Sequence, residues 1–263
     1  MKKIFLTGAS SGIGRAIAEG LVAHGHEVWG TSRNPAQVSP TPRLHAVALE
    51  LNDRRSIDAG FGAALKEAGH FDVVINNAGS GHFGPFESIS DEALLRHFQA
   101  LVVAQVQIMR LALASMRVER RGLIINVTSL AARLPVPFMA AYNAAKAAMA
   151  SFTLTSQLEL AGTEIHIVDL QPADIGTSFN DRLEKPDATR PRLAKAWQAV
   201  DRNMKNAPKP ELVARRVLRL ISEENPPPRI TVGDFFQSRI APFIFRFLPQ
   251  RVRIWGLKNY YGI

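Results

Sequence analysis

The sequence predicts a single α/β domain: a parallel sheet, doubly wound, with helices on both faces. Three observations predict it. Short apolar runs alternate with helical periodicity over most of the chain. A glycine loop, Thr7-Gly-Ala-Ser-Ser-Gly-Ile-Gly14, falls where the first run turns into the first helix. No repeat or long linker divides the 263 residues, and folds of this class reach that size as one domain. Strands alternating with helices require right-handed crossovers, which place the helices on the sheet faces.

The elements follow in order. Lys3 to Thr7 reads as the first strand and Gly12 to His24 as its helix. Glu27 to Ser32 and Leu44 to Leu49 are the next two strands, with a helix over about Ser56 to Ala68. Phe71 to Asn76 is a fourth strand, followed by helical patterns near Asp91 to Phe98 and Ala100 to Arg117. Leu123 to Thr128 is a fifth strand, the helix around Tyr142 runs to about Leu160, and Glu164 to Leu170 is a sixth strand. Residues 178–210 are charged and helical, with Pro186 and Pro191 as breaks, and read as a flap. A helix over Glu211 to Glu223 stops at Pro226-Pro-Pro228, and Arg229 to Val232 supplies a last strand.

Composition narrows the classes. Hydrophobic residues make up 46% and charged residues 21%, enough for a large core. With no cysteine, disulfides and thiol chemistry are excluded, which fits a reducing, cytoplasmic setting. The N-terminal apolar run breaks at Thr7-Gly8, unlike a signal peptide, and no apolar stretch reaches the length of a membrane span. No clustered His, Asp and Glu spacing suggests a metal site. The net charge of +9 sits in the last third: residues 182–263 hold seventeen Lys/Arg and seven Asp/Glu. No nucleic-acid-binding motif accompanies that charge.

Glycines let backbone approach a pyrophosphate, and the helix that follows offers unpaired N–H groups and a positive dipole end. The loop therefore reads as a dinucleotide cradle. Gly8-Ala-Ser10-Ser-Gly12 also fits a hydrolase nucleophile elbow with Ser10 as nucleophile. That reading gives no role to Gly14, Tyr142 or Lys146. The second strand ends Gly30-Thr-Ser-Arg33, with no carboxylate to hold ribose hydroxyls. Arg33 can pair with a 2′-phosphate instead, which favours NADP(H) over NAD(H). Tyr142 and Lys146 lie one helical turn apart, so the ammonium is expected to pull the phenol pKa down and ready it for proton transfer. Ser129 follows the fifth strand, at the sheet edge where open α/β folds bind ligands.

Together, Thr7-Gly-x3-Gly-x-Gly14, Asn76-Asn-Ala-Gly79, Ser129 and Tyr142-x3-Lys146 resemble the classical short-chain dehydrogenase/reductase family over residues 3–180. The resemblance implies a Rossmann domain with a seven-stranded parallel sheet. It implies catalysis by Ser129, Tyr142 and Lys146. It assigns the cofactor to Gly8, Ser10, Ser11, Gly12, Ile13 and Gly14 of the loop, with Arg33, Glu50 and Leu51 at the adenosine end. Asn77, Ala78 and Gly79 would pass beside the adenosine half. Tyr142 and Lys146 would meet the nicotinamide ribose, and Pro172, Ala173, Ile175 and Thr177 would hold the nicotinamide. A homo-oligomer is the family's habit. Two departures stand out. Leu101 occupies the place of an asparagine that holds a relay water in the family. Ala173 replaces a glycine, where a positive dihedral would be penalised.

The expected substrate wall comprises Gly81-His82-Phe83, Leu130, Phe138, Met139 and Phe179. It is mostly apolar, so a lipophilic ketone or alcohol is expected, and the pattern is most similar to the hydroxysteroid and retinol dehydrogenase branch. Residues 234–263 mix large apolar side chains with arginines. They read either as a membrane-surface element or as a dimer or core-packing helix. The rival function is a non-catalytic NADP(H)-binding regulatory or scaffold protein, motivated by Leu101.

Overall fold

The strands assemble in the order their crossovers allow. In the computed structural model, which describes residues 1–38, 41–183 and 190–263, they are β1 (Lys3–Leu6), β2 (Glu27–Ser32), β3 (Leu44–Ala48), β4 (Val73–Asn76), β5 (Arg121–Val127), β6 (Glu164–Pro172) and β7 (Arg229–Val232). They form one parallel seven-stranded sheet, ordered β3-β2-β1-β4-β5-β6-β7. Chain order reverses between β1 and β4, which opens a crevice at the strands' C-terminal ends.

Period-two alternation sorts side chains to the two faces. Ile4, Leu6, Val73, Ile75, Leu123 and Ile125 pack beneath α1 (Gly12–Ala23) and α7 (Glu211–Leu220). Phe5, Val74 and Ile124 pack on the other side, under α2 (Arg54–Ala68), α4 (Ala104–Glu119) and α5 (Ala140–Glu159). Because both faces are covered, the central strands read as unbroken apolar runs. Phe5, Phe61 and Phe71 interlock on that second face, with Phe5 and Phe61 edge-to-face at 4.8 Å.

A π turn, Gln99–Val103, joins α3 (Asp91–Phe98) to α4 without breaking the helical path. By length, and by a mean hydropathy of 1.4 over an 18-residue window, the run Asp91–Glu119 is long and apolar enough to cross a membrane. That corrects the expectation that no stretch is. Its Ile108, Met109, Ala112 and Met116 are nonetheless buried in the second core.

The last third departs from its outline. Pro191 does not break a helix; it opens α6 (Pro191–Lys205) at the first position, where a missing N–H costs nothing. Pro186 lies outside the described residues. Beyond β7, a π turn (Phe236–Ile240) leads to α8 (Ala241–Phe247) and α9 (Gln250–Tyr261), separated at Leu248-Pro249. Helix α6 packs against α9. Phe83, Met139, Leu193, Ala196 and Tyr261 close a third apolar cluster above the crevice. The edge strand β7 is tied in by Arg229, whose Nε donates to the buried Asp169 carboxylate at 2.8 Å.

Candidate active site

The glycine loop is built by close approach. Gly8 and Gly12 hold φ of +73° and +54°, in the left-handed region. A β-carbon on Gly14 would stand 2.0 Å from the Gly8 carbonyl oxygen and 2.5 Å from Asn77 Nδ2. Thr7 Oγ1 accepts from the N–H groups of Asn77 and Ala78 at 2.9 and 3.0 Å, and Asn77 Nδ2 donates to the Thr7 carbonyl at 3.0 Å. The first turn of α1 holds no acidic side chain, so its N–H groups and dipole meet a site with room for a diphosphate. A β-carbon at Gly12 would face Thr177 at 3.5 Å, so the loop and the residues after β6 flank one space.

That space is a cavity of about 860 Å³. Every residue of the expected cofactor set lines it, from Gly8, Ser10, Ser11, Gly12, Ile13 and Gly14 to Arg33, Glu50, Leu51, Asn77, Ala78, Gly79, Pro172, Ala173, Ile175 and Thr177. Arg33 is exposed at one end. Glu50 is partly engaged locally: its Oε1 accepts from the Asn52 N–H at 2.9 Å.

Ser129, Tyr142 and Lys146 converge on the same cavity. Ser129 caps a short turn, accepting from the Ala131 N–H at 3.0 Å, and its hydroxyl also bonds the Tyr142 oxygen. Lys146 is buried beneath them and donates to the Val127 carbonyl at 2.9 Å. Its Nζ lies 5.8 Å from the centre of the Tyr142 ring. The expected fall in the Tyr142 pKa does not occur. Burial pushes it above the ordinary phenol value, against the pull of the Ser129 bond, and the charge of Asp174 adds to the rise. Burial also lowers Lys146 to about 8, although Asp169 opposes the fall. The arrangement presents a protonated phenol, a hydroxyl and a readily titrated amine to one space.

Substrate-side expectations divide. Leu130, Met139 and Phe179 line the cavity, with the Phe179 ring 5.6 Å from that of Tyr142. His82 and Phe138 do not. His82 is buried behind the wall, and Phe138, at φ +62°, packs on Phe83 at 6.0 Å. Leu101 is fully buried, and a β-carbon on Gly79 would meet its Cδ2 at 3.2 Å and Lys146 Nζ at 3.8 Å. Leu101 and Lys146 therefore both border Gly79. Gln105 Nε2 donates to the Ala78 carbonyl at 3.0 Å from behind. Ala173 carries no penalty: among the described residues only Arg120 and Phe138 are non-glycine residues with positive φ. The displaced glycine has a counterpart in Gly233, where a β-carbon would lie 2.6 Å from Ala173 Cβ.

The sequence reading missed a polar cluster between the β6 loop and the C-terminal helices. Asp174 Oδ2 accepts from Gln237 Nε2 at 2.6 Å, and Tyr260 OH accepts from Gln237 Nε2 at 3.2 Å and Asn203 Nδ2 at 2.9 Å. The one signal for it was a carboxylate in the otherwise apolar Pro172-Ala-Asp-Ile175.

Residues 2–188 match the family model described as short chain dehydrogenase. The chain belongs to the short-chain dehydrogenase family. A relative from Bacteroides thetaiotaomicron named 3-ketodihydrosphingosine reductase is 28% identical over 99% of this chain and 98% of its own length. A solved short-chain dehydrogenase from Streptomyces avermitilis superposes with a TM-score of 0.81 at 25% identity, covering 98% of this chain and 93% of that one. A 3-ketoacyl-(acyl-carrier-protein) reductase from Brucella melitensis, solved with NADH, gives 0.72 at 26% identity over 85% and 91% of the two chains. Short-chain dehydrogenases are oxidoreductases on a Rossmann fold, which leaves the hydrolase reading of Ser10 unsupported.

Because the folded Lys146 pKa is depressed, the unfolded state binds more protons between about pH 8 and the ordinary lysine value of 10.5. Stability conferred by this residue therefore rises with pH across that window. Relative to Lys146→Met, the wild type should gain a few kcal/mol, at most about 3, between pH 8 and 10.5. Urea unfolding of both proteins across that range measures it; a constant gap would contradict the depressed value.

Proposed function

We propose that this short-chain dehydrogenase is an NADP(H)-dependent carbonyl reductase acting on a lipophilic ketone or aldehyde, reversible with the secondary alcohol. One observation carries the reading: the Ser129, Tyr142 and Lys146 side chains share a single cavity with the glycine cradle. Gly8 to Gly14, Asn77 to Gly79 and Pro172 to Thr177 would hold the dinucleotide, and Arg33 would pair with a 2′-phosphate. When bound, the nicotinamide exchanges a hydride with the substrate carbon.

The chain's own residues manage the proton. Ser129 holds the carbonyl oxygen by a hydrogen bond, and the Tyr142 hydroxyl gives that oxygen its proton. Burial keeps the Tyr142 phenol protonated, so it enters the reaction as the proton donor. Lys146 places a positive charge beneath the phenol and stabilises the phenolate as it forms. Leu130, Met139 and Phe179 exclude water and accept an apolar substrate. Val200, Asn203 and Met204 of α6, with Phe245 and Tyr260 of the C-terminal helices, form the rim of the cavity.

Two features set partners. Phe243, Phe247 and Trp255 are exposed beside Arg246 and Arg251. Apolar rings among arginines fit the surface of an anionic bilayer. Phe152, Leu154 and Leu158 are exposed on α5 and supply a surface for a homo-oligomer. The rival, a non-catalytic NADP(H) binder, draws on Leu101, which borders Gly79 where the family resemblance expects an asparagine.

NADPH oxidation with a panel of lipophilic ketones and aldehydes separates the two readings. Tyr142→Phe should lower kcat by about a hundredfold or more; tight NADPH binding without turnover on the panel favours the binder. Arg33→Ser should raise KM for NADPH by about tenfold and leave NADH nearly unaffected. Equal use of both cofactors by the wild type would sink the NADP(H) assignment. Vesicles of phosphatidylglycerol and phosphatidylcholine should sediment the protein at low salt and release it at high salt. No sedimentation with these vesicles would refute surface attachment.

A further inference from the structure

We propose that Asp169 is a positioning residue for the proton-transfer groups: it holds the end of β5, which carries both Ser129 and the carbonyl that anchors Lys146. The inference rests on the reductase reading of Ser129, Tyr142 and Lys146, and adds a residue that touches neither substrate nor cofactor.

Asp169 lies on β6, opposite Asn126 of β5 and Arg229 of β7. Alternation puts it on the same sheet face as Ile165 and Ile167, which pack in the core beneath α5. A carboxylate on that apolar face is costly unless donors take its lone pairs. Three do, each from a different segment. Thr128 Oγ1, just past β5, donates to Oδ1, while Gln171 Nε2 of β6 and Arg229 Nε of β7 each donate to Oδ2 at 2.8 Å. The backbone is tied as well, since the Asp169 N–H donates to the Pro228 carbonyl at 2.9 Å.

The Thr128 bond is the one that reaches the chemistry. Thr128 sits between Val127, whose carbonyl accepts from Lys146 Nζ at 2.9 Å, and Ser129, whose hydroxyl bonds the Tyr142 oxygen. All three residues line the cavity, and Asp169 stands behind them. The ladder of β5 is running out here: β5 ends at Val127, and the Thr128 N–H makes a last strand-like bond to the Leu170 carbonyl at 2.9 Å. The side-chain tie to Asp169 is thus a second restraint on the same residue. Without it, a turn of the Thr128 backbone would carry the Val127 carbonyl away from Lys146 and the Ser129 hydroxyl away from Tyr142 together.

The carboxylate also acts through its charge. Lys146 is faced by Asp169 from β6 and by Tyr142 on its own helix. Burial lowers the Lys146 pKa, and Asp169 opposes the fall. Arg229, which bonds Asp169, and Arg133, beyond Ser129, are the cations that share its field. Packing alone does not call for this arrangement, because a buried ion pair is commonly no more stabilising than apolar residues of the same volume.

Two sets of variants of the full chain test the two ties. Thr128→Val removes the hydroxyl but keeps the branched shape and the Asp169–Arg229 pair. With NADPH and the best ketone of the panel, its kcat should fall about tenfold, and Thr128→Ser, which restores the hydroxyl, should come within about twofold of wild type. Asp169→Asn keeps the volume and removes the charge. NMR of protein carrying isotope-labelled lysine, without cofactor, reads the Lys146 titration directly, with Lys146→Met assigning the signal. The wild-type midpoint of about 8 should stay in place in Thr128→Val and move about one pH unit lower in Asp169→Asn, since loss of a nearby negative charge disfavours the ammonium. An undiminished kcat in Thr128→Val overturns the proposal, as does Thr128→Ser being as slow as Thr128→Val, or a midpoint that Asp169→Asn leaves unmoved. Should Asp169→Asn fail to fold, the threonine variants decide. A midpoint shifted by Asp169→Asn, in a protein that reduces no ketone, supports the tie to Lys146 and counts against the reductase reading alone.

Discussion

At Gly14 the backbone of α1 comes so close to the Gly8 carbonyl that no side chain fits between them. The same glycine leaves room for the Asn77 amide, which bonds the Thr7 and Gly8 carbonyls. Three segments thus meet without a side chain to separate them: the end of β1, the start of α1 and the turn after β4. This meeting aims the α1 N-terminus into the crevice and sets the distance from the glycine loop to the residues after β6. Were the loop held wider, N–H groups that meet a diphosphate would face solvent, and the α1 dipole would be screened. The buried amides behind it, with Asn76 Nδ2 donating to Asn126 Oδ1 at 2.9 Å and Asn126 Nδ2 to Thr153 Oγ1 at 2.8 Å, lock β4, β5 and α5 into the same frame. Lys146 and Tyr142 ride on α5, so the chemistry inherits its position from contacts far from any substrate.

At Tyr142 burial and hydrogen bonding oppose one another. The Ser129 hydrogen bond favours a phenolate, yet removing the phenol from water outweighs it in this structure. The buried ammonium is itself weakened by the same desolvation. The two groups therefore share one cause, loss of water, which disfavours the charged form of each.

The strands and the glycine loop were legible because their signals are local. Ile4, Phe5 and Leu6 must be apolar in sequence because both sheet faces are covered. Gly8, Gly12 and Gly14 are demanded by dihedral or by approach, and both demands leave a glycine in the text. Tyr142 and Lys146 could be paired by helical spacing, but the sign of the phenol shift could not, since burial depends on Phe179, Met139 and the C-terminal helices, all distant in sequence. His82 and Phe138 were assigned to the substrate wall by adjacency to Gly81 and Met139. The chain turns there, at the strained Phe138, and points them behind the wall. Asp174 with Gln237 joins two segments more than sixty residues apart, and α8 and α9 carry so many exposed apolar residues that periodicity assigns them no buried face.

The exchange at Ala173 and Gly233 constrains how this pair of positions can change. With both side chains present, two β-carbons just past the paired ends of β6 and β7 would lie 2.6 Å apart, so the backbone there must shift. A lineage moving to glycine at 173 and a larger residue at 233 must therefore lose the first methyl before it gains the second. The reverse order passes through an intermediate in which the ends of β6 and β7 must shift apart. The two positions form a single heritable unit with a forced sequence of substitution, although sixty residues separate them.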